Sequence, residues 1–92
     1  MKTFEDKIER RKSIIEKIQN LLIDNLNLPY TAEQLHPDTP LFSTGLALDS
    51  IDAVELVVLM ENEFGCSIED SDIASMRNIN TLTDLVLKQP QL

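Results

Sequence analysis

Residues 25–49 place the tightest limit on the fold. Pro29, Pro37, Pro40 and Gly45 interrupt them, so neither a regular helix nor a central strand runs through. A connection this long is uncommon inside a compact domain unless it is packed down or serves a function. Leu28, Leu35, Leu41, Phe42, Leu46 and Leu48 supply apolar anchors along it. Thr31 and Gln34 have the spacing to cap one short helical turn in its middle. The segment is predicted to be a packed crossover loop, with the elements on either side close enough to hold it.

Those elements are predicted to be helices. Phe4, Ile8, Ile14, Ile15, Ile18, Leu21 and Leu22 recur at helical spacing. Thr3 suits an N-cap, with Glu5 and Asp6 in the first turn, which gives a helix over about 4–24. A second helix is expected over about 50–64, begun at Asp49 or Ser50 and stopped at Gly65. A short third helix fits about 71–76. A fourth fits about 81–88, with Thr81 as N-cap, Asp84 three residues on, and Pro90 beyond its end. Residues 1–92 are thus expected to form a single domain. The fold class is all-α: a four-helix bundle with a long loop between helices 1 and 2 and a short third helix. With three Phe, one Tyr and no Trp, its core is aliphatic.

Charge narrows the function. The formal net charge is −8. Residues 1–20 hold six bases and four acids, whereas residues 21–92 hold two bases and twelve acids. From Asp49 to Asp72 there are eight acids and no base. Such a field repels nucleic acid and anionic lipid and attracts basic protein surfaces. Arg10, Arg11 and Lys12 are expected to form a solvated helix face. No apolar run is long enough to insert in a membrane, and no signal peptide is apparent, so a cytoplasmic monomer is expected. Cys66 has no cysteine partner and is expected to be a structural thiol, buried or half-buried.

The second helix carries two apolar stripes. At about 100° per residue, Ala53, Leu56, Val57, Met60 and Phe64 share one sector, the core face. Ile51, Val54 and Val58 fall on nearly the opposite side, edged by Glu55, Glu61 and Asn62, with Asp52 further round. This second stripe has two readings. It is core if helices 1 and 3 wrap around it, or it is a narrow docking strip for a partner's apolar pocket rimmed by bases.

Ser50 stands at the start of that helix. A hydroxyl there faces unpaired backbone N–H groups and the positive end of the helix dipole, both favourable to a phosphate. Asp49 and Asp52 oppose a free anion, so the position suits a covalently attached phosphate better. That points to a carrier serine served by partner enzymes. Other chemistries fit poorly. No Gly-x-Ser-x-Gly elbow surrounds Ser50, and the single histidine, His36, is expected to be a solvated loop residue. Read as a calcium loop from Asp70, the chain has Ser75 where Gly is needed and Thr81 where Glu is needed. No metal site and no catalytic residue is expected.

The segment Gly45-Leu46-Ala47-Leu48-Asp49-Ser50-Ile51-Asp52-Ala53-Val54-Glu55-Leu56-Val57 resembles the phosphopantetheine attachment motif of acyl carrier proteins. The likeness extends upstream through Pro40-Leu41-Phe42 and downstream through Glu61-Asn62-Glu63-Phe64, Ile68 and Ile73. It implies that Ser50 carries 4′-phosphopantetheine, transferred from coenzyme A by a phosphopantetheinyl transferase with Mg²⁺. The arm's thiol would hold acyl intermediates as thioesters for fatty-acid, polyketide or related synthases, and the chain itself would not be an enzyme. Asp49, Asp52, Glu55 and Glu61 match the family's acidic docking positions, and Ile51, Val54 and Val58 its apolar ones. The implied partners are acyltransferases, ketosynthases or acyl ligases with basic docking patches. Ile51 departs from the usual Leu, and Asn62 replaces an acid common in fatty-acid carriers. A peptidyl or aminoacyl carrier and an unmodified acidic interaction module are the alternatives.

Overall fold

The computed structural model describes residues 4–42, 46 and 48–88. Four helices follow in order: α1 (Phe4–Leu26), α2 (Ser50–Phe64), α3 (Asp70–Ile73) and α4 (Ile79–Lys88). Among the described residues there is no strand, only an isolated bridge between Phe42 and Leu48. The fold is an all-α bundle with a long first helix and a short third one. No described helix is long and apolar enough to cross a membrane. The expected cap at Thr3, the loop residue Gly45 and the stop at Pro90 lie outside the described residues.

α1 packs against both α2 and α4. Ile14, Ile18 and Leu22 line its inner face, and they meet Leu56 and Met60 of α2 and Ile79, Leu82, Leu85 and Val86 of α4 in one core. Leu35 and Leu41 of the crossover loop, with Ile68 and Met76, complete it. The helix runs to Leu26, two residues past the expected end, and Asn27 then adopts a left-handed conformation (φ 53°). Asn tolerates that region better than most side chains, so it serves as a helix stop.

The crossover loop is held by hydrogen bonds as well as by its leucines. The buried Gln19 of α1 donates through Nε2 to the Leu35 carbonyl at 2.8 Å. Leu41 N donates to the Arg77 carbonyl at 2.8 Å, and Asn80 N to the Pro37 carbonyl at 3.1 Å. Buried backbone groups need such partners, and α1 and the start of α4 provide them. The expected turn forms at Thr31, whose N–H donates to Gln34 Oε1 at 3.0 Å.

Three expectations need correction. Thr81 does not cap α4. Asn78 does, accepting from Thr81 N through Oδ1 at 2.9 Å, while Thr81 Oγ1 accepts from Asn78 N at 3.1 Å. This reciprocal pair starts the helix early enough to bury Ile79 completely. α3 spans Asp70–Ile73, one turn instead of the expected 71–76. Ser75 and Met76 donate three residues back, to Asp72 and Ile73, so the chain tightens as Met76 enters the core. Finally, Arg11 is no solvated bystander. Its Nη1 pairs with Asp84 Oδ1 at 2.7 Å and its Nη2 donates to Asn80 Oδ1 at 3.2 Å, tying α1 to α4.

Candidate functional site

α2 begins with a capping box. Asp49 has extended backbone angles, and its Oδ1 accepts from Asp52 N at 2.9 Å. Asp52 Oδ2 reaches back to accept from Asp49 N at 3.1 Å. A carboxylate at each position is thus part of what starts the helix, besides any part in binding. Ser50 is the first helical residue and is exposed. The N–H groups of the first two helical residues, Ser50 and Ile51, have no acceptor within the helix. An accessible hydroxyl therefore coincides at Ser50 with N–H donors that have no acceptor within the helix, a place that favours a phosphate.

The far end of α2 is equally well defined. Gly65 is left-handed (φ 62°), and its N–H donates to the Glu61 carbonyl at 2.9 Å. A side chain there would have open space around it, so the constraint is backbone conformation. Glu61 Oε2 accepts from Ile68 N at 2.9 Å, which anchors the chain leaving the helix. Its carboxylate is only partly available to a partner, a constraint that sequence alone concealed.

Between these ends the two stripes separate by burial. Leu56 and Met60 are fully buried, and Ala53, Val57 and Phe64 are half-buried. Ile51, Val54 and Val58 are 76%, 66% and 49% exposed. Neither α1 nor α3 covers the second stripe, so it is surface and not core. Glu55 is exposed beside it and Asp52 half-exposed. The strip is apolar in its middle and acidic at its edges.

Two further features lie near the site. Cys66 is half-buried, and its thiol donates to the Met60 carbonyl at 3.7 Å. Burial pushes that thiol above its ordinary range, as does the Glu61 charge, against the opposing effect of a backbone hydrogen bond. It is therefore a poor nucleophile. His36 is exposed in the loop, where its Nδ1 accepts from Asp38 N at 3.0 Å. Among the described residues no group of three or more metal-ligating side chains comes together. A feature that sequence did not suggest is a cleft of about 340 Å³ lined by Asp38, Pro40, Phe42, Arg77 and Asn78. It is created by the loop crossing the start of α4, a contact between residues far apart in the chain.

Residues 16–86 match the family described as "Phosphopantetheine attachment site". Similar proteins include an acyl carrier protein of Nitratidesulfovibrio vulgaris (strain DP4), 34% identical over 80% of this chain and 93% of the relative. One from Solidesulfovibrio magneticus is 31% identical over 84% of this chain and 95% of its own length. One from Saccharopolyspora erythraea is 35% identical over 84% of this chain and 78% of its own. With most of its length matched on both measures, the chain belongs to the acyl carrier protein family, for which 4′-phosphopantetheine is the covalent prosthetic group.

Proposed function

We propose that Ser50 is the attachment point, and that the chain presents acyl groups to the enzymes of a fatty-acid, polyketide or related synthase. The observation that carries this reading is the exposed Ser50 hydroxyl at the first position of a helix whose N-terminus is rigidly capped by Asp49 and Asp52. When bound, 4′-phosphopantetheine supplies a thiol that holds cargo as a thioester. The chain's own contribution is placement. The capping box fixes the Ser50 backbone, the N–H groups of Ser50 and Ile51, which lack acceptors within the helix, would favour a phosphate attached there, and the acidic surroundings keep free anions away.

In this reading the chain is a non-catalytic substrate of its partners and works in the cytosol. A phosphopantetheinyl transferase docks first, and acyltransferases, ketosynthases or acyl ligases follow. Ile51, Val54 and Val58 enter a shallow apolar pocket, while Asp49, Asp52 and Glu55 meet Lys and Arg around it. Glu61 contributes less, because one of its oxygens is held by Ile68.

Intact mass tests the reading. The protein is incubated with coenzyme A, Mg²⁺ and a broad-specificity transferase, beside Ser50→Ala. One added phosphopantetheine is expected on the wild type and none on the variant, with both melting alike because an exposed hydroxyl adds little stability. Labelling retained in Ser50→Ala would overturn the site. A folded wild type that stays unlabelled, with a transferase active on another carrier, would favour an unmodified interaction module.

A further inference from the structure

We propose that the cleft between the crossover loop and the start of α4 receives the tethered acyl group, and that it suits a short chain ending in a carboxylate. The inference rests on Ser50 being the attachment point. The cleft adjoins the approach to that residue. Leu48 N donates to the Leu41 carbonyl at 2.9 Å, and Phe42 pairs with Leu48 in a parallel bridge. Paired backbones lie about 4.8 Å apart, and two residues of extended chain span at most about 7 Å. The Phe42 backbone is therefore within roughly 12 Å of Ser50. The opposite wall is tied to the same run, since Leu41 N donates to the Arg77 carbonyl at 2.8 Å.

The lining decides the chemistry. Pro40 and Phe42 offer an apolar wall, and among the described residues Arg77 is the one cationic side chain at the cleft. Arg77 uses its backbone for structure, donating N–H to Ser75 O and Thr81 Oγ1 and accepting from Leu41. The ion pairs among the described residues, Arg11–Asp84 and Lys88–Asp72, do not involve its guanidinium. Asp38 lines the same cleft and opposes an anion, although its carboxylate already accepts from Asn80 Nδ2. With a net charge of −8, the protein does not hold a free carboxylate there. A tethered one differs, because a short flexible link supplies an effective concentration in the millimolar range. The volume of about 340 Å³ is at the small end for ligand clefts, which favours a short acyl chain.

The test loads the full chain enzymatically from two coenzyme A thioesters, succinyl and butyryl, matched in chain length and differing in the carboxylate. Intact mass confirms loading before amide NMR spectra are compared. The succinyl form is expected to shift the amides of Phe42, Arg77 and Asn78 more than the butyryl form does. The excess reflects a docked population about two- to fivefold larger, the range that an exposed ion pair supplies. Arg77→Gln should remove the difference, and Asp38→Asn should enlarge it. Arg77 is exposed, so its substitution leaves the fold intact. Equal shifts from both cargoes, no shift from either, or a difference that survives Arg77→Gln would overturn the proposal. Failure to load would instead overturn the attachment at Ser50 and this inference with it.

Discussion

At the scale of single residues, Asp49 combines two jobs that substitution can separate. Its carboxylate accepts the Asp52 N–H that would otherwise lack a partner, and it adds negative charge beside Ser50. Asn caps a helix about as well as Asp, whereas Ala forfeits the bond at a cost of about 1 kcal/mol. Asp49→Asn is therefore expected to melt within a degree or two of wild type, and Asp49→Ala several degrees lower. If the charge also steers the transferase, both variants will be captured more slowly at low salt. Equal melting of the two variants would mean that the capping bond contributes nothing. Asp72 makes a second residue-scale case. Its carboxyl is held below its ordinary value of 3.8, first by the backbone N–H of Glu69 and then by Lys88. A depressed folded-state pKa stabilises the fold above that ordinary value, and the gain is lost as pH falls through the folded value. Asp72→Asn should flatten the acid limb of a plot of melting temperature against pH, below about pH 4. An unchanged limb would show that other carboxylates set it.

At the scale of elements, α2 has one face that sustains the fold and another that the fold does not need. Leu56→Ala opens the core and should cost about 2–5 kcal/mol. Val54→Ser, at a position 66% exposed, should stay within about 0.5 kcal/mol of wild type. Docking predicts the reverse order of importance. Steady-state labelling of Val54→Ser should show a raised KM for the carrier with kcat little changed, and an unaltered KM would exclude the stripe from transferase binding. The bounds of α2 were legible because both ends carry strong local signals, Asp49 with Asp52 three residues on and a left-handed Gly65. The start of α4 was not. Asn78 and Thr81 are both good capping residues, and local pattern favoured Thr81 because Asp84 follows at capping-box spacing. The choice falls to Asn78 because Ile79 must be inside the helix to reach the core, a tertiary demand that no short pattern encodes. The same limit hid the true length of α3 and the bond from Ile68 to Glu61.

At the scale of the molecule, charge and connectivity act against each other. Arg11 was misread as solvent-facing because its partners, Asn80 and Asp84, are about seventy residues away in the chain. The ties Arg11–Asp84 and Lys88–Asp72 link α1 to α4 and α4 to α3. Exposed pairs of this kind contribute about 0–1 kcal/mol each, and salt weakens them. Set against them are eight carboxylates between Asp49 and Asp72 without a base among them. Their mutual repulsion disfavours the compact state, and salt relieves it through the same screening. The two effects of salt on stability thus have opposite signs, and the numbers favour repulsion: among the described residues two ion pairs weaken, while the repulsion among eight acids is relieved. The unmodified protein is accordingly expected to melt higher as sodium chloride rises from 10 to about 300 mM, where the screening length falls well below the size of the domain. Millimolar Mg²⁺ should act in the same direction through loose association with the acidic stretch. Arg11→Gln should lower the curve most at low salt and make its rise steeper, because the tie it removes is one that salt itself weakens. A melting temperature that stays flat or falls with salt would show that the ties outweigh the repulsion, and that the acidic helix is presented to partners without cost to the fold.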